Sequence, residues 1–123
     1  MAKKKILVVD DETSITRLMK FVIEKTGLYD VECENSGANA VSKMCQFQPD
    51  LVILDLNLPD LSGGEISAAM KQDSSLNRTP IIFLTGNVSG DEAESGIKIG
   101  GFPALAKPIN MEMLLACIQS NLK

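Results

Sequence analysis

The chain has 123 residues, 45% of them hydrophobic, with a formal net charge of −4 and a pI near 4.8. That length suits one compact domain with a single core, and the acidic balance argues against sequence-independent nucleic-acid binding, which needs a basic surface. The longest apolar runs (Ile6 to Val9, Leu51 to Leu54) fall far below the ~20 residues of a membrane span. Only short apolar sequence follows Lys3-Lys4-Lys5, so the start lacks the features of a signal peptide, and the chain reads as cytoplasmic. Histidine is absent, which removes His-based nucleophilic triads and zinc sites. Cys33, Cys45 and Cys117 have no C-x-x-C spacing; each sits among apolar residues and is expected to be a small buried thiol.

The elements alternate. Ile6-Leu7-Val8-Val9 is a continuous β-branched-rich run, the pattern of a strand covered on both faces. Ile15, Leu18, Met19, Val22 and Ile23 then form a helical stripe, stopped at Gly27. Asp30 to Glu34 reads as a second strand, and Ala40, Val41, Met44 and Cys45 mark a second helix that ends near Pro49. Leu51-Val52-Ile53-Leu54 is a third strand. Ser62-x-x-Glu65 has the spacing of a capping box and opens a third helix through Ile66, Ala69 and Met70. Pro80 to Leu84 is the fourth strand, Ser89-x-x-Glu92 opens a fourth helix, and Gly101 to Ala106 is the fifth strand. Met111, Leu114, Leu115, Ile118 and Leu122 form the stripe of a final helix capped by Asn110. The fourth helix is the weak one, because Gly90, Gly96 and Gly100 lower its propensity.

Five β-then-α units imply a parallel sheet with helices on both faces, since right-handed crossovers allow little else. No linker, repeat or low-complexity stretch divides the chain, so residues 1–123 read as one domain. Ligands of such sheets bind beyond the carboxyl ends of the strands. There the first strand ends in Asp10-Asp11-Glu12, the third in Asp55, the fourth in Thr85-Gly86 and the fifth in Lys107-Pro108. If the first and third strands are neighbours, Asp10, Asp11 and Asp55 converge, and such a cluster of hard oxygen ligands suits Mg²⁺. Lys107 can offset part of the charge and meet a phosphoryl oxygen, and Thr85 can donate to another. Each residue has a plain alternative: Asp10 and Asp11 could favour a helix N-terminus, Asp55 could cap a turn, Thr85 could be an ordinary strand residue and Lys107 a solvated charge. Together at one sheet edge they fit attack by a carboxylate on a phosphoryl group, which needs positioning and charge neutralisation.

In these segments the chain resembles the receiver domains of two-component response regulators, and more broadly the chemotaxis regulators among them. The resemblance runs from Ile6 through Leu122. It rests on Ile6-Leu7-Val8-Val9-Asp10-Asp11-Glu12, on Asp50 through Pro59 continuing to Leu61-Ser62-Gly63, on Thr85-Gly86 and on Lys107-Pro108. It implies a flavodoxin-like doubly wound (βα)5 fold with a five-stranded parallel sheet in the order 2-1-3-4-5. It also implies a phosphoacceptor switch with no external substrate. Asp55 would take a phosphoryl group from the phosphohistidine of a sensor histidine kinase or a phosphotransfer protein. Asp11 and Asp55 would ligate Mg²⁺ by carboxylates, Asn57 by its backbone carbonyl and Asp10 through water. Lys107 would bind the phosphoryl group and the Thr85 hydroxyl would move towards it. Asn57 and Asn87 would border the path of an attacking water. A downstream protein would be met by the fourth helix, fifth strand and final helix, with no direct contact to nucleic acid or membrane.

One position departs from the family pattern. Members commonly carry Tyr or Phe three residues before the Lys, where this chain has Ala104. Phe102 shares that face if the strand is regular, so either Phe102 or the fourth helix is expected to carry the output change. Pro103 between them is expected to be tolerated because the fifth strand lies at an edge. A haloacid-dehalogenase-like phosphatase is the nearest enzyme, but its Asp-x-Asp is replaced here by Asp-x-Glu. A flavodoxin-like nucleotide binder would need a Gly-rich phosphate loop after the first strand. A receiver-like interaction module that never takes phosphate is supported only by Ala104. No DNA-binding or catalytic output segment follows Leu122, so the chain reads as a stand-alone receiver or one taken from a longer regulator.

Overall fold

The computed structural model describes residues 3–86, 97–99 and 101–122. The elements are β1 (Lys4–Val9), α1 (Thr13–Lys25), β2 (Tyr29–Glu34), α2 (Gly37–Phe47), β3 (Leu51–Asp55), α3 (Gly63–Lys71), β4 (Ile81–Thr85), β5 (Ile97–Ile99), β6 (Phe102–Ala106) and α4 (Met111–Asn121). The five strands expected from the sequence are parallel and lie in the order β2-β1-β3-β4-β6. This is the doubly wound 2-1-3-4-5 arrangement.

Continuous apolar runs form the central strands because both of their faces are covered. One layer joins Leu7, Val9, Val52, Leu54, Ile81 and Phe83 to Ala40, Met44, Ile66 and Met70 of α2 and α3. The other joins Ile6, Val8, Leu51, Ile53, Ile82 and Leu84 to Met19 and Ile23 of α1 and Leu114 and Ile118 of α4. Alternate residues of each strand therefore feed opposite layers, as the pleat requires. The stripe of α1 is narrower than its periodicity suggested: Leu18 is exposed, while Thr16 is buried.

Helix starts follow local chemistry. The Ser62 hydroxyl accepts from Glu65 N at 3.2 Å, and Asn110 Oδ1 accepts from Met113 N at 3.1 Å, so both expected caps form. α2 ends at Gln48 in the left-handed region, with φ 53°.

Three expectations change. A sixth strand, β5, pairs antiparallel with β6, setting Lys98 opposite Pro103. The strand that carries Pro103 is thus not an edge; the proline is accommodated because pairing with β4 begins only at Ala104. The cysteines are not buried: Cys33 and Cys117 are half-buried and Cys45 is exposed, because position 45 lies on the outer side of α2, where its thiol donates to Asp73 Oδ2 at 3.6 Å. The fourth helix expected from Ser89, and Asn87 before it, lie outside the described residues.

Candidate functional site

The first, third and fourth parallel strands, β1, β3 and β4, end side by side. Val9 pairs with Leu54, and Asp55 with Leu84, so Asp10 and Asp55 stand at the same level of neighbouring strands. Both are buried at about 1% exposure or less, which would be costly for carboxylates lacking a counter-charge. Lys107, just beyond β6, supplies one. Its Nζ lies 3.1 Å from Asp55 Oδ2 as a hydrogen bond and 3.0 Å from Asp10 Oδ2 as an ion pair, with Glu12 Oε1 at 3.9 Å. The lysine is positioned by its own backbone, since Lys107 N donates to Thr85 O at 2.9 Å. Burial works against the charged ammonium, but pairing with Asp10 and Asp55 outweighs it and holds the group above the ordinary lysine value.

Backbone amides take the other carboxylate oxygens. Glu12 N donates to Asp10 Oδ1 at 3.0 Å, and Asn57 N donates to Asp55 Oδ1 at 3.1 Å. Asp10 Oδ2, although 3.0 Å from the ammonium, receives no well-directed hydrogen bond. Asp10, Asp11 and Asp55 each offer an oxygen within 4.8 Å of the others. The donor set is all oxygen, and one buried oxygen still has a lone pair to give; both features fit a hard divalent cation such as Mg²⁺.

Asp10, Asp11, Asp55, Asn57, Thr85 and Lys107 gather here, while Asn87 lies outside the described residues. Thr85 ends β4 and is 4% exposed, and Asn57 is the second residue of the loop between β3 and α3. A close backbone approach fixes that loop: a Cβ at Gly63 would stand 2.7 Å from Asp55 O and 2.9 Å from Leu56 Cα. Only glycine fits the first position of α3.

The sequence reading did not find three supporting residues. Glu12 flanks Lys107. Asn35 Nδ2 donates to Asp10 O at 2.7 Å and to Thr16 Oγ1 at 3.1 Å. Asp60 accepts from the start of α2. The available signal for Asp60 was indirect: α2 has no acid in its first turn, and its N-cap Ser36 makes no capping bond.

Phe102 and Ala104 do share a face, since both belong to the α2–α3 layer. However, Ala106 is the residue paired with Thr85, and Phe102 precedes it by four positions, roughly 13 Å along a strand. The Phe102 ring packs edge-on to Phe83 with centroids 6.1 Å apart, under Lys71 Nζ at 6.0 Å. It packs in the α2–α3 layer and does not stand beside Thr85.

A family model described as the response regulator receiver domain matches residues 6–119. Among solved structures, the chemotaxis protein CheY4 of Vibrio cholerae is 34% identical, covering 98% of this chain and 100% of that one, with a TM-score of 0.84. The signal receiver domain of a putative Luxo repressor protein from Vibrio parahaemolyticus is 32% identical over 98% and 91% of the two chains, with a TM-score of 0.82. A response regulator receiver domain protein from Clostridium thermocellum is 31% identical over 97% and 94%, with a TM-score of 0.80.

Proposed function

The chain belongs to the response regulator receiver family, and on that premise we propose that residues 1–123 act as one phosphoacceptor switch centred on Asp55. A carboxylate oxygen of Asp55 attacks the phosphorus of a phosphohistidine on a sensor histidine kinase or phosphotransfer protein. The P–N bond breaks, its electron pair returns to the donor imidazole, and an acyl phosphate forms. The observation that carries this reading is Lys107 Nζ lying 3.1 Å from Asp55 Oδ2 and 3.0 Å from Asp10 Oδ2. A cation already held at the nucleophile can pass to the oxygens of the incoming group as the Asp55 oxygen is consumed. The Thr85 hydroxyl, at the end of the next strand, serves a second phosphoryl oxygen. Receiver domains are not enzymes with an external substrate, and here the protein catalyses only its own phosphorylation and dephosphorylation.

Asp10, Asp11, Asp55 and the Asn57 carbonyl would hold Mg²⁺, with Asp10 acting through water. When bound, the ion neutralises charge on the transferring group. The residues of the chain orient the acceptor: Asn57 N fixes one Asp55 oxygen, and the burial of Asp10 and Asp55 keeps bulk water from their flanks.

An apolar groove lined by Ile15, Leu18, Pro108, Ile109 and Met111 opens beside Lys107, which suits a partner that presents the phosphoryl donor at this edge. The downstream contact belongs on β6 and α4; the fourth helix expected to complete that face lies outside the described residues. Among the described residues no helix is long and apolar enough to cross a membrane, and the reading places the chain in the cytoplasm, in contact with proteins and not with nucleic acid.

The test is incubation with acetyl phosphate or phosphoramidate and Mg²⁺, read by intact mass. The expected result is the gain of one phosphoryl group, abolished by Asp55→Asn. No gain in the wild type overturns the proposal.

A further inference from the structure

The start of α2 is capped from a distant loop. Asp60 lies between β3 and α3, yet its Oδ1 accepts from Gly37 N at 3.1 Å, and its Oδ2 accepts from Ala38 N at 2.9 Å and from Ser36 Oγ at 3.1 Å. One carboxylate thus satisfies two amides that the first turn of a helix leaves without partners. The fit is close: a Cβ at Gly37 would stand 2.8 Å from Asp60 Oδ1, 3.0 Å from Leu61 O and 3.1 Å from Leu61 Cβ. One residue before Ser36, Asn35 Nδ2 holds Asp10 O at 2.7 Å. The β2–α2 turn is therefore bonded on one side to the strand end that carries Asp10 and on the other to the loop that carries Asn57. Asn57 N is in turn fixed to Asp55 at 3.1 Å.

We infer that Asp60 is a positioning residue for the phosphoacceptor site: through the first turn of α2 and Asn35, it sets the spacing between the Asp10–Asp11 end and the Asp55–Asn57 loop. The inference rests on the proposed metal-dependent phosphoacceptor reading. Its physical basis is that Asp10, Asp11, Asp55 and Asn57 come from two separate βα connections. A cation shared by them is bound tightly only if those connections are pre-set at the right distance. The β3–α3 loop is also held by Leu58 in the core, with Leu56 and Leu61 packed against it, by Leu56 N donating to Leu84 O at 3.0 Å and by Gly63 N donating to Leu56 O at 3.1 Å. Asp60 adds the hydrogen bonds that tie its outer end to the first turn of α2.

Two readouts test this on the full chain. In EDTA, amide hydrogen exchange of residues 56–62 and 37–39 in Asp60→Asn is expected to accelerate relative to the wild type, while β1 and β3 keep their protection. In a Mg²⁺ titration followed by amide shifts, Asp60→Asn is expected to bind about tenfold more weakly, and most of the acetyl phosphate reaction rate returns at saturating Mg²⁺. Gly37→Ala keeps every bonding group but forces the loop outwards, and it is expected to weaken Mg²⁺ in the same direction. Asp60→Glu, which retains the charge and both oxygens, recovers part of the loss. Unchanged exchange in the loop, or Mg²⁺ affinity within twofold of wild type in both Asp60→Asn and Gly37→Ala, overturns the inference. Absence of Mg²⁺ binding in the wild type would instead sink the metal reading, while the exchange experiment in EDTA still decides whether Asp60 holds the loop.

Discussion

The two sides of the sheet's carboxyl edge are built differently. On the β1–β3 side, buried carboxylates, backbone amides, Lys107 and the Asp60 cap form a connected set in which each group has a stated partner. On the β4–β6 side the chain departs from the family pattern: Ala104 stands where a ring is common, Phe102 packs edge-on to Phe83, and an antiparallel strand is added outside β6. The first side holds the acceptor and the clustered carboxylates, which Thr85 and Lys107 meet from the ends of β4 and β6. The second has a small side chain beside Thr85 and its large one roughly 13 Å away along the strand. On the proposed reading, acceptance of a phosphoryl group and transmission of the signal are separable, and changes on the two sides should have different consequences.

Lys107→Ala should have the largest effect. Removing the cation at the acceptor is expected to slow phosphorylation by acetyl phosphate about 100-fold, with Mg²⁺ binding kept because the competing ammonium is gone; stopped time points read by mass check this. Gly63→Ala comes next. Its Cβ would meet two backbone atoms under 3 Å, which have little freedom to yield, so urea unfolding should show a loss of about 2 kcal/mol together with a displaced acceptor loop. Phe102→Ala should cost about 1 kcal/mol, because the residue is half-buried and loses an aromatic pair. Its phosphorylation rate should stay at the wild-type value. A matching loss of rate would break the proposed separation of the two sides.

The smallest effect concerns acid. Hydrogen bonds from Ala38 N first, then from Ser36 Oγ and Gly37 N, hold the Asp60 carboxyl below its ordinary value of 3.8. A carboxylate with a lowered folded-state pKa stabilises above the unfolded value and loses that contribution as pH falls through the folded one. The Gly37 and Ala38 amide shifts should therefore titrate below pH 3.8, and Asp60→Asn should remove that transition.

The parallel sheet was legible because its central strands are short continuous apolar runs, and the site because Asp10, Asp55, Thr85 and Lys107 each end or follow a strand. Local caps were legible too, since Ser62–Glu65 and Asn110–Met113 lie three residues apart. What the sequence hid was non-local. The Asp60 cap spans 22 to 24 residues, so no spacing rule reveals it. β5 is only three residues long and pairs through a hairpin containing Gly101 at φ 86°, beside a stretch that reads as a helix from its Ser89-x-x-Glu92 spacing. The exposure of Leu18 and Cys45 depended on which side of each helix faced a partner, which periodicity alone assigned too broadly.

The most direct test of the central claim is to locate the adduct. After reaction with acetyl phosphate and Mg²⁺, borohydride reduces an aspartyl phosphate to homoserine, and tandem mass spectrometry of the peptides that carry Asp10, Asp11, Asp55 and Asp60 identifies the position. The account predicts reduction at position 55 alone, lost in the absence of Mg²⁺. Reduction at Asp10, Asp11 or Asp60, or at no aspartate while the protein stays folded, would contradict it.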